Sequence, residues 1–240
     1  MITFTPGYFG WLGNQMFQYA AVASLAKEIG ASFGFPKNTP NLFDVFNLTA
    51  EKDPAPSMYL YKEEGFHYHP LPETSEDVTL FGYFQSEKYF SKHKDFIKKE
   101  FTFKKQLTDA PSGKISLHVR RGDYLNLQEH HPPCTMSYYN KAMDLFPGGQ
   151  FLVFSDDIDW CKRNFKGKNV EFSMGESAED DLQLMSKCDH HIMANSSFSW
   201  WGAWLGNNKD KRVVAPKQWF GPAKRGYDTK DLYCEDWIVL

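Results

Sequence analysis

The sequence predicts an α/β fold with parallel sheets, and two observations lead to that prediction. In the second half of the chain, short apolar segments typical of strands alternate with segments of helical periodicity. At the amino terminus, the apolar segment Met1–Thr5 runs through glycine-containing residues 7–13 into another helical pattern. Such alternation is typical of βαβ units, whose ligands bind at the carboxyl ends of the strands.

The elements of the first half are few. The helix that follows Gly13 has apolar positions that include Met16, Ala20, Ala23 and Leu25. The proline-containing stretch Gly30–Pro56 predicts loops with at most short elements. A strand at Val78–Tyr83 and a helix at Glu87–Phe101 complete this half.

The second half alternates more regularly. The predicted elements, in order, are strand Ile115–Val119, helix Ser137–Phe146, strand Phe151–Ser155, helix Ile158–Phe165, helix Ala178–Lys187, strand His191–Ala194, a helix from Phe198, and strand Arg212–Ala215. A length of 240 residues fits two domains of this kind. Because polar and turn residues cluster at Thr108–Gly113, we place the boundary there and predict domains of residues 1–110 and 111–240.

Composition excludes several classes of function. A net charge of −3 argues against the broad positive field that nucleic acid or an anionic membrane surface requires. The sequence contains no apolar segment long enough to cross a membrane and no signal-peptide pattern. Its four cysteines form no CxxC pair and therefore predict free thiols in a reducing compartment. We accordingly predict a cytoplasmic protein without a transmembrane segment.

The first candidate site follows the strand Ile115–Val119 and reads His118-Val-Arg120-Arg121-Gly122-Asp123-Tyr124. Strand alternation points His118 and Arg120 to one side and Arg121 to the other. Arginines at a strand end can bind phosphate with two parallel hydrogen bonds. Arg120 is therefore either a phosphate ligand or part of a structural ion pair, while Arg121 pairs with Asp123 or with the neighbouring loop.

The second candidate site, Asn195-Ser196-Ser197, also follows a strand and opens a helix. Such residues either cap the helix or, with the free backbone N–H groups, bind an anion. Asp180 and Asp181 begin another helix, where they either complement its dipole or pair with the edge of a guanine. The adjacent Trp200 and Trp201 face different sides of a helix, so at least one of them is predicted to be core.

Two further patterns carry weaker signals. Asn14 and Gln15 lie on the first turn of the amino-terminal helix and offer polar groups to a cleft between the domains. Asp157-Ile158-Asp159 matches the short motif with which many sugar-nucleotide enzymes hold manganese, but Asp159 also fits a helix start, so no metal site is predicted.

Taken together, the strings GWLGNQMFQYA, GYFQSEKYF, HVRRGDY, FLVFSDDIDWCK and MANSSFSWWGAWL resemble the family 11 glycosyltransferases, the α-1,2-fucosyltransferases. The resemblance runs from about residue 7 to the end of the sequence and leaves Gly30–Glu76 unmatched. It implies a GT-B-like architecture of two Rossmann-like domains facing across a cleft, with the acceptor side in residues 1–110 and GDP-fucose bound by residues 111–240.

The resemblance also implies a reaction and roles for particular residues. L-Fucose would pass with inversion from GDP-fucose to a galactoside hydroxyl, most simply as an α-1,2 linkage, without a metal or other cofactor. Arg120 would hold the β-phosphate and stabilise departing GDP, His118 would line the nucleotide site, and Asn14 would lie between donor and acceptor. Asn195, Ser196 and Ser197 would contact phosphate or ribose.

Two assignments are less direct. Related core and protein-O-fucosyltransferases read guanine with a carboxylate eight residues before an aspartate that leads into the serine motif, and that position is Asp181 here. Candidates for the general base lie in the loop after the arginines and are Asp123, Glu129 and His131; the alternative is a weak or absent base with largely dissociative chemistry. The alternative functions are transfer from another GDP-sugar and a non-catalytic module that binds nucleotide sugar or glycan.

Overall fold

We describe the protein from a computed structural model that covers residues 1–6, 10–37, 42–74, 76–108, 111–167 and 169–240. The chain divides into two compact units. The first comprises Met1–Gln106 and Tyr227–Cys234, and the second comprises Leu107–Gly226 and Glu235–Leu240. The predicted boundary at residue 110 and part of the predicted turn at 7–13 lie outside the described residues. Tyr227–Cys234, assigned from sequence to the second domain, groups with the first unit.

The first unit contains a three-stranded parallel sheet of order β1-β5-β4. Its elements are β1 (Ile2–Phe4), α1 (Leu12–Ile29), β2 (Gly34–Phe35), α2 (Leu42–Val45), β3 (Glu51–Lys52), β4 (Tyr59–Lys62), β5 (Val78–Phe81), two short 3₁₀ segments (Glu87–Tyr89 and Ser91–His93) and α3 (Lys94–Glu100). Strands β2 and β3 pair with each other in parallel. The prediction that Gly30–Pro56 holds only short elements is confirmed for residues 30–37 and 42–56.

Helix α1 forms the centre of the first unit, and it is buried without interruption from Gln15 to Ala26. Its alanines let neighbouring elements pack closely, and the ring of Phe17 lies 6.3 Å from that of Phe90. The single helix predicted for Glu87–Phe101 is wrong in its first half. The chain leaves helical geometry at Phe90, where φ is −139° and the side chain is fully buried.

The second unit is built on a six-stranded, wholly parallel sheet of order β11-β10-β9-β6-β7-β8. Its elements are β6 (Lys114–Val119), a 3₁₀ segment (Asp123–Asn126), α4 (Met136–Asp144), β7 (Gln150–Ser155), α5 (Ile158–Asn164), β8 (Val170–Phe172), α6 (Ala178–Ser186), β9 (His190–Ile192), α7 (Ser197–Leu205), β10 (Val213–Ala215), a 3₁₀ segment (Pro222–Lys224) and β11 (Ile238–Val239). The strand and helix order predicted for this half is confirmed, and β8 and β11 are additions to it.

Two layers of apolar side chains sandwich this sheet. One joins β6 and β7 to α4 and α5 through residues such as Leu117, Val153 and Tyr139. On α6 and α7, a Cβ on Gly202 would lie only 2.9 Å from that of Met185, so these helices approach as closely as glycine allows. Every strand of the sheet is parallel, so the carboxyl ends all meet at one edge, which is where an α/β sheet binds its ligands.

Candidate functional site

The turn after β6 places Arg120 between two carboxylates. Its guanidinium lies 2.7 Å from Asp123 Oδ1 and 2.9 Å from Asp156 Oδ2, with 27% of the side chain exposed. Asp156 reaches this turn because β6 and β7 pair in register up to Val119 and Ser155, so both strands end together. The result is a cation held in a fixed orientation at the carboxyl edge of the sheet.

Arg121 is anchored differently from its neighbour. Its Nε lies 3.2 Å from Asp157 Oδ2, and its guanidinium lies 4.0 Å from the centre of the Trp160 ring. The partner is thus the neighbouring loop, one of the two alternatives open from sequence. Asp157 also accepts a hydrogen bond from the backbone N–H of Trp160 and caps α5. The Asp157 carboxylate and the Trp160 ring therefore hold the turn after β6 against the start of α5.

The backbone between the arginines and Asp123 needs a glycine. A Cβ on Gly122 would lie 2.7 Å from Asp156 Oδ2, so any side chain there would displace the carboxylate that holds Arg120. The same carboxylate accepts a 2.9 Å hydrogen bond through Oδ1 from the backbone N–H of Arg121. Asp156 therefore fixes both the turn and the Arg120 side chain, a role that sequence reasoning missed although the residue stands directly after a predicted strand.

His118 is buried on β6 beneath this turn, with 6% of its surface exposed. Its ring lies 5.6 Å from that of Phe198, and its Nδ1 has no hydrogen-bond partner within the described ranges. Burial lowers the pKa of His118 to about 4, because a buried imidazolium loses its hydration. His118 is consequently neutral at physiological pH, and its Nδ1 remains available for a hydrogen bond.

The turn after β9 carries Asn195, Ser196 and Ser197. The Asn195 amide is buried, and its Nδ2 donates to the carbonyl oxygens of Pro132 (2.9 Å) and Trp219 (3.1 Å). Ser196 caps α7 by accepting a hydrogen bond from the Phe198 backbone N–H. The partly exposed Ser197 opens the helix. The capping interpretation of Ser196 therefore applies whatever else the turn binds.

Tyr124 joins the two turns and is a second residue that sequence reasoning missed. Its hydroxyl donates to the carbonyl oxygen of Asn195 over 3.0 Å, and its ring lies 5.5 Å from the guanidinium of Arg120. The ring of His131 also stacks on that of Tyr124, with the ring centres 5.2 Å apart. A tyrosine at the end of the arginine motif thus supports the cation and links it to the serine turn.

The loop that contains Glu129 is held by its backbone. The carbonyl oxygen of Glu129 accepts from the Ala223 N–H (2.8 Å) and that of His130 accepts from the Gly221 N–H (2.9 Å). A Cβ on Gly221 would come within 2.5 Å of the Glu129 carbonyl oxygen, so the two segments pack at glycine distance. The Glu129 residue is exposed, and its carboxylate has no ion-pair partner in the part of the chain described here.

His131, the third candidate base, has a different environment. Lys224 Nζ lies 2.9 Å from its Nε2. Burial and this ammonium group lower the pKa of His131 to about 4. A lysine that donates to the imidazole occupies the lone pair that a base would use, so the contact argues against His131 in that role.

Asp181 lies on the first turn of α6, at the carboxyl edge beyond β8. Its Oδ1 accepts a 2.6 Å hydrogen bond from the Ser173 hydroxyl, while Oδ2 has no hydrogen-bond partner among the residues described. Burial raises the pKa of Asp181, against the lowering effect of the Ser173 hydrogen bond. Asp180, next to it, is buried.

In the first unit, Asn14 lies on the first turn of α1 and pairs with Gln85. Gln85 Nε2 donates to Asn14 Oδ1 over 2.8 Å. Gln85 follows β5 through a turn that Glu63 holds, because that carboxylate accepts from the backbone N–H groups of Tyr83 (2.6 Å) and Phe84 (2.9 Å). Phe84 is buried with φ of +53°, a strained geometry that these hydrogen bonds stabilise.

One pattern that the sequence offered as a sugar-binding surface is structural. Trp200 and Trp201 are both fully buried, so neither is a sugar-stacking surface. Over the described ranges, no group of three or more histidine, cysteine, aspartate or glutamate side chains is arranged to hold a metal ion. No helix of the described chain is long and apolar enough to cross a membrane.

The parallel α/β units, with an arginine turn and a serine turn at the carboxyl edge of one sheet, match the architecture expected of a GT-B-like glycosyltransferase. The chain belongs to glycosyl transferase family 11, whose model matches residues 60–240. This confirms the resemblance drawn from the sequence motifs.

Among similar proteins, an Escherichia coli alpha-1,2-colitosyltransferase is 33% identical over 96% of each chain. The Bos taurus galactoside 2-alpha-L-fucosyltransferase SEC1 is 28% identical over 84% of this chain and 64% of its own length. Among solved structures, POFUT1 in complex with GDP-fucose superposes with a TM-score of 0.51, covering 88% of this chain and 96% of that one at 12% identity. That likeness confirms the predicted GT-B-like α/β fold.

Proposed function

We propose that this protein transfers L-fucose from GDP-fucose to a galactoside hydroxyl, inverting the anomeric centre to form an α-1,2 linkage. The observation that carries the proposal is the turn with Arg120, which lies within the range matched by the family 11 model. The names of two similar proteins add support, since one is a galactoside 2-alpha-L-fucosyltransferase and the other an alpha-1,2-colitosyltransferase.

Arg120 is the residue that stabilises the leaving group. When the bond between the anomeric carbon and the β-phosphate oxygen breaks, negative charge collects on that phosphate. A guanidinium already oriented by Asp123 and Asp156 meets this charge with little reorganisation, which is how preorganised donors accelerate such reactions. A fixed cation supplies the stabilisation that a divalent metal gives elsewhere, so we propose metal-independent transfer.

The remaining donor contacts follow from the two neighbouring turns. Ser197 and the start of α7 are proposed to bind phosphate, since the positive end of the helix dipole favours anions. Asn195 and Ser196 were expected from sequence to touch the donor. We propose that they shape this turn, because the Asn195 amide and the Ser196 hydroxyl already bond to the chain. Neutral His118 lines the nucleotide site, and Asp181 accepts from the guanine edge.

Glu129 is our proposal for the general base that removes the acceptor proton. Asp123 is the weaker candidate, because its carboxylate is committed to Arg120 at 2.7 Å and would lose that ion pair on protonation. The Glu129 carboxylate is exposed on a loop whose backbone is held in place. A held backbone with a free carboxylate suits proton transfer late in an oxocarbenium-like transition state. We assign Asn14, oriented by Gln85, to acceptor-side hydrogen bonding.

A second candidate donor is GDP-colitose. The specific observation in its favour is the 33% identity to an alpha-1,2-colitosyltransferase across 96% of both chains. Colitose is fucose without the 3-hydroxyl, so the phosphate, guanine and base contacts proposed above serve either sugar. Only contacts to the 3-hydroxyl would separate them.

The test is incubation of the purified protein with GDP-fucose or GDP-colitose and a panel of galactosides, with and without EDTA. Release of GDP and the linkage of the product are followed together. EDTA-resistant fucosyl transfer to the galactose 2-hydroxyl is the expected result. Faster transfer from GDP-colitose would replace the donor assignment, and loss of transfer in EDTA that added manganese restores would overturn the metal-independent mechanism.

A further inference from the structure

The loop between β8 and α6 holds the Asp181 carboxylate through two consecutive hydrogen bonds. The Ser173 hydroxyl donates to Asp181 Oδ1 over 2.6 Å. The backbone N–H of Gly175 in turn donates to the Ser173 hydroxyl oxygen over 3.1 Å. A backbone amide, a hydroxyl and a carboxylate therefore form one relay, in which each group fixes the direction of the next.

The sheet anchors the start of this relay. The backbone N–H of Ser173 donates to the carbonyl oxygen of Val153 over 2.8 Å, so Ser173 continues the pairing of β8 with β7. The residue is 9% exposed. Its hydroxyl is thus held where the chain leaves β8, at a residue that is still hydrogen-bonded to the sheet, which suits the positioning of a ligand group.

Gly175 leaves the space that the carboxylate occupies. A Cβ on Gly175 would lie 2.2 Å from Asp181 Oδ1 and 2.9 Å from Asp181 Cγ. The backbone of Gly175 does not have the positive φ that favours glycine, so the close approach and not backbone strain is what excludes a side chain here. Serine on one side and bare backbone on the other confine the carboxylate to one position.

This confinement leaves a defined acceptor. Oδ1 retains one acceptor direction after the Ser173 hydrogen bond, and Oδ2 has no partner in the described part of the chain. A carboxylate presented in this way matches two adjacent N–H donors in a plane, the pattern of N1–H and N2–H₂ on guanine. Adenine lacks that pattern, because its N1 is an acceptor.

We propose that Ser173 and Gly175 are positioning residues for nucleobase selection: they hold Asp181 in the orientation that accepts both guanine donors. The inference rests on the proposed function, in which Asp181 contacts the guanine of the donor. It adds that selectivity depends on two residues that do not touch the nucleotide base.

The experiment measures inhibition constants of GDP, IDP and ADP against fucosyl transfer by the full chain. The variants are Ser173→Ala, Gly175→Ala and Asp181→Asn, with Ser186→Ala as the matched control, because Ser186 bonds to the Gln183 carbonyl at the far end of the same helix. Removing a hydrogen bond to a charged group typically costs about tenfold in affinity. We expect Ser173→Ala and Gly175→Ala to weaken GDP by about tenfold, IDP less and ADP not at all.

The outcomes separate the two proposals. Equal weakening of GDP, IDP and ADP by Ser173→Ala and Gly175→Ala would mean a merely structural loop and would overturn the inference, as would unchanged constants. If Asp181→Asn removes the preference for GDP over ADP while both loop variants keep it, the guanine contact stands and only the positioning role fails. If Asp181→Asn keeps that preference, the assignment of Asp181 itself fails.

Discussion

Replacing Arg120 with alanine should abolish most transfer while leaving the fold nearly as stable as before. The Arg120 ion pairs are partly exposed, with 27% of its own side chain, 44% of Asp123 and 25% of Asp156 accessible. Pairs of this kind contribute at most about 1 kcal/mol each. Solvent takes over both carboxylates in the variant, so we expect a net loss of about 1 kcal/mol, which lowers the melting temperature by about 2–4 °C.

The catalytic loss should be much larger. Arg120 is the charged donor proposed to meet the β-phosphate, and removal of a single preorganised donor typically lowers kcat by about 10²–10³. We therefore expect kcat/KM to fall by at least about a hundredfold, which corresponds to about 2.7 kcal/mol of transition-state stabilisation. Arg120→Lys keeps the charge but loses the planar fork, so its kcat/KM should lie between those of wild type and Arg120→Ala.

Arg121→Ala is the matched control, since this neighbouring arginine is bound to Asp157 and stacked on Trp160. Loss of the cation–π contact and the ion pair should lower the free energy of unfolding by about 1–2 kcal/mol, with a smaller effect on kcat. Initial rates of GDP release at saturating acceptor and thermal unfolding curves measure both quantities. Transfer by Arg120→Ala within about threefold of wild type, or equal catalytic losses in both variants, would refute the reasoning.

Further substitutions at Glu129, Asp123, Tyr124 and Glu63 test other contacts. Glu129→Gln should lower kcat by about 10²–10⁴ without weakening GDP-fucose binding. Asp123→Asn should also change donor affinity, because it loosens Arg120. Steady-state kinetics with varied donor distinguish these two variants. Tyr124→Phe removes one hydrogen bond and should cost about 1 kcal/mol of stability with near-normal transfer, while Tyr124→Ala also removes the ring beside Arg120 and should reduce kcat. Burial raises the pKa of Glu63 from 4.5 to about 7. The Glu63 carboxyl therefore binds its proton more tightly in the folded state than in the unfolded chain. Its contribution to the free energy of unfolding is present at low pH and is lost as the pH rises through about 7. Relative to wild type, Glu63→Gln should gain up to about 3 kcal/mol between about pH 5 and pH 8 in denaturant unfolding.

Each of these has a result that would count against it. Normal turnover in Glu129→Gln would remove it as the base, and equal activity in both Tyr124 variants would show that its ring does not support Arg120. The stability difference between Glu63→Gln and wild type must depend on pH. That difference is the quantity to follow because the lowered pKa values of His118, His131 and His191 give the whole protein an opposite trend at mildly acidic pH.

Local patterns in the sequence were enough to predict the order of elements in the second unit. Strand and helix periodicities from Ile115 to Ala215 depend on residues close in the chain, and so does the placement of polar residues just after each strand. The first unit was less predictable. Strand β4 is largely exposed at the edge of its sheet and lacks the alternation of apolar and polar residues. The break at Phe90 reflects burial of a ring and not a local helix-ending residue.

The sequence by itself determined the family, the parallel α/β class and the arginine, serine and aspartate motifs. Only the tertiary structure decided what each motif residue contacts. Asp156 joins Arg120 because two strands end side by side, Tyr124 links turns 71 residues apart in sequence, and Ser173 orients Asp181 from the end of a strand that the sequence pattern did not reveal. Side-chain partners of this kind depend on strand order and register, which no short sequence pattern encodes.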